Sequence, residues 1–583
     1  MVEVIYIAGA GIWMAVHGVL GVLLASAVTG RNKLDTIDLA IGWALSLAIP
    51  VVTGTVLVML FGILQPWMVL TSTVLAVFFF IRWKVLTDGL EVLSIRISRN
   101  ASLALILGLW VAGIRMIIRP DLGLFAAPDE LGHLLSSMEL RAGYWRTSGG
   151  DLEYMTVYGS NYPRGFHSLL IFWSILPFPV QIPVMLIPVI CGPPIIMAFC
   201  AVLQRWSQSM WWIPTAFILM CYAAWAPMVE TMWWVWKRNS LAISETLALA
   251  LLLPAVFTVF SDRNRKVLPE EHVSLVVIGL AVGFVNPTTL MYWTMIILSG
   301  LLIRQGRWNT KREFIREPVF HTLVFSWFAF ATWSIWWILF HPLEAAPESI
   351  GYVSNSLERS HFLIDIFTPR LAEGREWSQL LHVRNLCICI GLILTTAYIL
   401  DDSDNRRQDL RGLLPPVIAA GILVIFHVPE ESIATARGLI AGGPFILLAT
   451  LAPILTMFDK VTEGGRLEHL LIAISPIVAS VWKGWFFEYR TLTRPIWEYR
   501  TILSFGVVLS LALIVHAWGH FFEKWTFHGW RFVDHRVVVL GVLYLIFFLH
   551  QRWWPEVLRL AEIPWESICN VDSHSRDYCE RFG

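Results

Sequence analysis

The sequence predicts an all-α fold, a polytopic transmembrane helical bundle, and three observations support this prediction. Apolar residues make up 56% of the 583 residues and charged residues only 15%, whereas soluble domains carry about 25% charge. The mean hydropathy of the chain is +0.64. Uncharged runs such as 51–80, 273–285 and 501–515 are long enough to cross or enter a hydrocarbon layer about 30 Å thick. The composition therefore predicts a membrane protein and excludes secreted enzymes, nucleic-acid binders and soluble multidomain enzymes.

The first 118 residues predict four helices, at 4–29, 38–62, 66–82 and 101–118. No Lys or Arg precedes the first apolar run, so the first helix is expected to remain uncleaved. The loop 82–99 carries four basic residues, which places it on the cytoplasmic side by the positive-inside rule. Residues 119–165 are then expected on the outer side.

Four later charged segments are also predicted to be cytoplasmic: 261–272, 304–318, 401–411 and 459–468. Residues 273–303, between the first two, are interrupted at Asn286-Pro287-Thr288. A single helix would leave its ends on opposite sides, so two half-spans are predicted, with Asn286 and Thr288 as candidates for lining a cavity. Residues 166–203 require an odd number of crossings, which one kinked helix plus a re-entrant piece would supply. The predicted total is about 14–16 segments.

The chain is predicted to have three parts: a transmembrane extension at 1–100, a transmembrane core at 101–550, and an outer tail at 551–583. Outer loops of the core, with short interfacial helices, are expected at 119–165, 341–383, 429–437 and 483–499. None is long enough to build an independent core of any size. Any chemistry must therefore be carried by loops that the helices hold in place.

The first large outer loop predicts a short amphipathic helix in the membrane interface. Pro128 suits a helix start, and Asp129, His133, Ser137 and Arg141 follow at i+4 steps on one face. A carboxylate one turn before an imidazole suits a general base whose proton the histidine steers or shares. Alternatively, the acidic residue only complements the helix dipole and His133 is solvated.

The same loop ends in Tyr162-Pro163-Arg164-Gly165-Phe166-His167, immediately before an apolar run. Arg164 and His167 lie at a predicted helix start, where backbone N–H groups also point outward. This combination suits a phosphate or pyrophosphate. Alternatively, Arg164 snorkels to the interface and Tyr162 belongs to an aromatic belt.

These segments, an acidic pair followed by His and then Tyr-Pro-x-Gly-x-His, resemble the GT-C superfamily of membrane glycosyltransferases. The resemblance is strongest to large polytopic members of actinobacterial type, and it covers residues 127–167. It implies a GT-C-like core, a polyprenyl-phosphate sugar as donor, Asp129 as the catalytic base and Glu130 as the fallback. Many members place this loop after their first helix, whereas three additional helices precede it here.

The resemblance also implies that Arg164 and His167, with Tyr162 beside them, lie near the donor phosphate. Arg437, at another predicted helix start on the outer side, is a further candidate for holding a lipid phosphate. Equally, Arg437 pairs at the rim with Glu430 or Glu431, a contact of little energetic consequence.

The expected function is therefore a membrane glycosyltransferase that transfers a sugar to a cell-envelope glycan or lipid on the outer side of the cytoplasmic membrane. Motifs for ATP-driven transport, zinc proteolysis and α/β-hydrolase chemistry are absent. Basic and acidic residues number 43 each, so no nucleic acid or other polyanionic partner is indicated. No metal site is predicted, although Asp129, Glu130 and His133 would suit a divalent cation.

Three alternatives stay open. A flippase or exporter of lipid-linked glycans would use the same cavity and arginines without a base. A ligase or polymerase would use pyrophosphate-linked glycans. A non-catalytic scaffold would bind a partner through its outer loops.

Overall fold

In the computed structural model the described residues are almost entirely helical. They are 2–31, 33–88, 95–118, 163–176, 182–206, 243–261, 269–286 and 318–340, pieces between 133 and 141, and isolated positions at 212, 216, 290, 293, 294, 297, 298 and 444. The all-α prediction is confirmed for these residues. The expected outer loops at 341–383, 429–437 and 483–499, and the tail at 551–583, lie outside them.

Ten helices are found in the described part of the chain: α1 (Val2–Thr29), α2 (Thr36–Phe61), α3 (Pro66–Asp88), α4 (Arg99–Ile118), α5 (Gly165–Trp173), α6 (Ile182–Ile190), α7 (Gly192–Trp206), α8 (Ile243–Ser261), α9 (Pro269–Val285) and α10 (Pro318–Phe340). Two short strands, β1 (Lys33–Leu34) and β2 (Arg96–Ile97), pair in parallel. The first four helices start at 2, 36, 66 and 99, against predicted starts at 4, 38, 66 and 101.

Local chemistry explains where α2 begins and ends. The Asp38 carboxylate accepts a hydrogen bond from the Asp35 backbone N–H at 2.9 Å, which satisfies a donor at the helix start. At the other end Gly62 has φ 71° and its N–H donates to the Val58 carbonyl at 2.8 Å. This left-handed termination favours glycine. Pro66 then starts α3, where a missing N–H costs no helical hydrogen bond.

Loops predicted to lie on the same side of the membrane contact each other. The β1–β2 pair joins the α1–α2 connection to the basic loop after α3. At the opposite end, the Leu64 N–H donates to the Leu140 carbonyl at 3.0 Å, and Gln65 Nε2 donates to the Arg141 carbonyl at 2.6 Å. The turn between α2 and α3 therefore holds the C-terminal end of the 133–141 segment.

Four helical stretches in the described residues are long and apolar enough to cross a membrane: Tyr6–Thr29, Thr36–Phe61, Ile182–Arg205 and Val319–Trp337. The third combines α6 and α7, which meet at Cys191. Large apolar side chains on α3 and α10, including Phe78, Phe79, Phe328 and Leu339, are exposed on the protein surface. Extended apolar surfaces of this kind suit contact with lipid.

The backbones of α9 and α10 lie in direct contact because two glycines of α9 face α10. A Cβ atom at Gly279 would meet the Thr322 carbonyl oxygen, and one at Gly283 would meet the Ser326 carbonyl oxygen. The two glycines lie one helical turn apart. Small residues at this spacing allow close approach of membrane helices, where apolar burial gives little drive for association.

Gly283→Ala is expected to destabilise the protein by about 1–3 kcal/mol, because the added methyl meets backbone rather than a mobile side chain. Gly11→Ala is the control, since nothing lies within 4 Å of a Cβ there. That change is expected to be neutral or to stabilise by up to ~1 kcal/mol through helix propensity. The measurement is the unfolding midpoint of each variant as SDS is titrated into detergent micelles. Equal unfolding midpoints for Gly283→Ala and Gly11→Ala would show that Gly283 does not pack against the α10 backbone.

Candidate functional site

The Tyr-Pro-x-Gly-x-His motif provides the N-terminus of α5. Arg164 is the N-cap residue, and its side chain makes no capping hydrogen bond. The first hydrogen bond of the helix runs from the Ser168 N–H to the Arg164 carbonyl at 2.9 Å. The backbone N–H groups of 165–167 therefore have no partner within the helix, and this end carries the partial positive charge of the helix dipole.

Glycines on two sides let α5 fit into a narrow slot. A Cβ atom at Gly54 of α2 would lie 2.6 Å from the Ser168 Cβ, and one at Gly165 would lie 2.6 Å from the Phe284 carbonyl oxygen of α9. Every residue of α5 is buried. Nine helical residues span about 13 Å, so α5 is too short to cross a hydrocarbon layer about 30 Å thick.

The C-terminal end of α5 is held by a continuous series of three buried hydrogen bonds. Trp173 Nε1 donates to His17 Nε2 at 2.9 Å, and His17 Nδ1 lies 3.0 Å from Ser46 Oγ. The Ser46 hydroxyl donates to the Trp43 carbonyl at 2.7 Å. Because His17 Nε2 accepts, its proton is on Nδ1 and the ring is neutral. This series of hydrogen bonds fixes α5 against α1 and α2 and so fixes the position of its N-terminus.

His133 and His167 are brought into direct contact, although they are 34 residues apart. His133 Nδ1 lies 3.1 Å from His167 Nε2. The His133 ring also packs on Phe166, with 4.6 Å between ring centroids. The sequence assigned these histidines to separate places, one beside Asp129 and one beside the donor phosphate. The structure joins them in one site at the start of α5.

The segment that carries His133 is helical where it is described, as the sequence predicts. Its orientation differs from the expected one, because Ser137, placed on the polar face, is buried and donates to the Leu134 carbonyl at 2.7 Å. A serine tolerates burial when its hydroxyl is satisfied locally. His133 is half-buried and its Nδ1 faces His167.

Arg164 and His167 are almost inaccessible, with 1% and 2% of their surfaces exposed. Burial lowers the pKa of His167 well below its ordinary value, and the neighbouring Arg164 and His133 lower it further. His167 is therefore neutral at physiological pH, and the permanent positive charge of the cluster is that of Arg164. Such a cluster can bind an anion without burying a second positive charge.

A second polar cluster, which sequence reasoning missed in part, lies next to the first. Asn286 Nδ2 donates to Ser244 Oγ at 2.9 Å, and the Ser244 hydroxyl donates to Glu245 Oε2 at 3.0 Å. All three side chains are buried, and Asn286 follows two residues after Phe284, which touches Gly165. The sequence does contain a signal for this cluster, because Glu245 is the only charged residue between Arg238 and Asp262. A lone acid in an apolar segment marks a functional candidate.

The remaining predicted site residues, Asp129, Glu130, Tyr162, Thr288 and Arg437, lie outside the described residues. Asn286 lies where the sequence predicts the helix break, since α9 ends at Val285. Within the described ranges no three His, Cys, Asp or Glu side chains are grouped closely enough to hold a metal ion. The described site thus combines a buried cation, a helix N-terminus, two histidines and an adjoining cluster of hydrogen-bonding groups.

Comparisons of the chain with models of known protein families, with curated proteins and with solved structures find no match.

Proposed function

We propose that this protein is an integral membrane glycosyltransferase that uses a polyprenyl-phosphate sugar as donor. The acceptor is a glycan or lipid of the cell envelope on the outer side of the cytoplasmic membrane. Residues 127–167, which resemble the GT-C superfamily, supply the motifs for this proposal, and the arrangement around α5 supplies its physical support.

The observation that carries the proposal is a buried Arg164 at the N-terminus of α5, within a bundle that is otherwise strongly apolar. Guanidinium groups and helix N-termini both favour phosphate oxygens. A long isoprenoid chain favours the apolar surroundings. A lipid phosphate therefore satisfies both parts of the environment, whereas a soluble anion satisfies only one.

The adjoining Ser244, Glu245 and Asn286 supply the groups that a sugar requires. A carboxylate accepts hydrogen bonds from sugar hydroxyls, and an amide both donates and accepts. Because Asn286 lies beside the Phe284–Gly165 contact, this cluster adjoins the proposed phosphate position. Its chemistry supports a donor that carries a polyhydroxylated group next to its phosphate.

The proposed reaction needs one base and one charge-stabilising group. Asp129 takes the proton of the acceptor hydroxyl as that oxygen attacks the anomeric carbon. The bond between the anomeric carbon and the phosphate oxygen breaks, and its electron pair leaves with the polyprenyl phosphate. Arg164 stabilises the charge of the departing phosphate. Direct attack inverts the anomeric carbon.

Native mass spectrometry of the purified protein in detergent tests the proposal. The expected result is a co-purified polyprenyl phosphate or polyprenyl-phosphate sugar, whose mass identifies the sugar. A pyrophosphate-linked oligosaccharide would replace the proposal with a ligase, polymerase or flippase. Bulk phospholipid alone, after purification in a mild detergent that retains tightly bound lipids, would favour the scaffold alternative.

A further inference from the structure

The His133–His167 contact contains a single shared proton position. Because the two nitrogens lie 3.1 Å apart, one must carry the proton and donate while the other accepts. In one arrangement His167 Nε2 carries the proton and donates to His133 Nδ1. In the other, His133 Nδ1 donates and the proton of His167 is on its Nδ1. The two arrangements present opposite chemistry at the free side of the His167 ring.

The second observation concerns Nδ1 of His167, the ring nitrogen that does not face His133. His167 Nδ1 is buried and makes no hydrogen bond to the described part of the chain. Nδ1 is bonded to Cγ and so lies nearer the helix backbone than Nε2, beside the first turn of α5. Buried polar atoms in folded proteins nearly always have a partner. Because Nδ1 lies at the N-terminal end of a helix without a partner in the described residues, we infer that a bound ligand supplies the missing hydrogen bond.

The surroundings specify that ligand as an acceptor. Arg164 contributes only donors, and the backbone N–H groups of 165–167 lie at the same helix end. Phosphate oxygens at neutral pH are mainly acceptors, and they would be repelled by the lone pair of an unprotonated Nδ1. Only the arrangement with the proton on His167 Nδ1 complements them.

We propose that His133 donates from Nδ1 to His167 Nε2 and so holds His167 in the tautomer whose Nδ1–H binds a phosphate oxygen of the ligand. His133 is then a positioning residue that acts through His167, and the Phe166 ring packed on it holds its orientation. The identity of the phosphate as that of a lipid-linked sugar rests on the proposed function. The tautomer assignment requires only that the site binds a phosphate.

Amide side chains test this assignment atom by atom. Asparagine places its NH₂ near the position of Nδ1, and glutamine places it near the position of Nε2. His167→Asn therefore keeps the donor that faces the ligand, and His167→Gln is the matched variant that moves it away. At position 133 the same logic applies, because His133→Asn keeps the donor to His167 and His133→Gln displaces it.

The probes are inorganic phosphate, farnesyl phosphate and farnesyl pyrophosphate, titrated against purified full-length protein by isothermal calorimetry. For whichever of these binds the wild type most tightly, His167→Gln is expected to weaken binding about 10-fold or more, and His167→Asn less than about threefold. His133→Gln is expected to weaken it more than His133→Asn. The SDS unfolding midpoints of the Asn and Gln variants at each position should agree. If the histidine had only a structural role, the variant that binds phosphate more weakly would also unfold at a lower SDS concentration.

Equal binding by His167→Asn and His167→Gln, or weaker binding by His167→Asn, would overturn the assignment. So would failure of all three phosphates to bind the wild type. If the Asn and Gln variants differ as expected but no sugar is transferred, the assignment stands and the proposed function falls. If transfer is observed while the two variants of His167 are equivalent, the proposed function stands and the assignment falls.

Discussion

Replacing Arg164 with glutamine is expected to lower kcat/KM for sugar transfer about 10²–10³-fold, the loss typical of removing one group that stabilises developing charge. The reason is its position: only 1% of the surface of Arg164 is exposed, so water cannot replace the guanidinium. Arg164→Lys keeps the charge but loses the planar fork that holds phosphate through two bonds, and it should recover only part of the rate. The measurement is the initial rate of release of farnesyl phosphate from a farnesyl-phosphoryl sugar of the mass found by native mass spectrometry.

Arg96→Gln is the matched control, because Arg96 is exposed in β2 at the opposite end of the bundle. Its rate is expected to stay within about twofold of wild type, as is usual for surface substitutions. SDS unfolding midpoints of all three variants separate loss of binding from loss of fold. Transfer by a folded Arg164→Gln variant at the wild-type rate would remove Arg164 from the mechanism.

Replacing Asp129 with asparagine is expected to lower kcat about 10²–10⁴-fold, the usual contribution of a general base. Asparagine matches the shape of the carboxylate but cannot take a proton from the acceptor hydroxyl. KM for the donor should change little, because the proposed phosphate site is formed by Arg164 and His167 at the start of α5 and not by Asp129. The pair of measurements is therefore kcat and donor KM for the same farnesyl-phosphoryl sugar.

Glu130→Gln is the companion variant, since it removes the neighbouring carboxylate of the same acidic pair. A larger fall in kcat for Glu130→Gln than for Asp129→Asn would transfer the role of base to Glu130. If both variants transfer sugar at nearly the wild-type rate, the outer-loop acids are not catalytic. In that case intact translocation of the lipid-linked sugar across vesicle membranes would identify the flippase alternative.

The first four helices were predictable because each depends on signals that are local in the chain. Length and hydropathy predicted α1 to α4, and proline or capping residues set several of the starts. The end of α9 at Val285 was predictable for the same reason, since Asn286-Pro287 interrupts an apolar run. Arg164 and His167 were identified as candidates because a short motif places them at a helix start.

Glu245 shows what local patterns leave undecided. Its sequence neighbourhood is compatible with an acidic residue that merely complements the N-terminus of α8. Its inclusion in a polar cluster depends on Asn286, which α9 brings alongside through its packing on α8 and α10. Asn286 donates to Ser244, the chain neighbour of Glu245, and these two hydrogen-bonded residues are 42 positions apart. No periodicity in either segment indicates this contact.

The sequence by itself determined that the described part of the chain forms apolar helices and that the Pro163-Arg164-Gly165-Phe166-His167 motif begins α5, because hydropathy, charge and helix-start chemistry act over a few residues. Only the tertiary structure decided that His133 reaches His167. That contact depends on Gly54 and Gly165 admitting α5 between α2 and α9, and on Gln65 holding the far end of the 133–141 segment. Such contacts are set by how closely backbones can approach, which depends on the partner surface as much as on the residue itself.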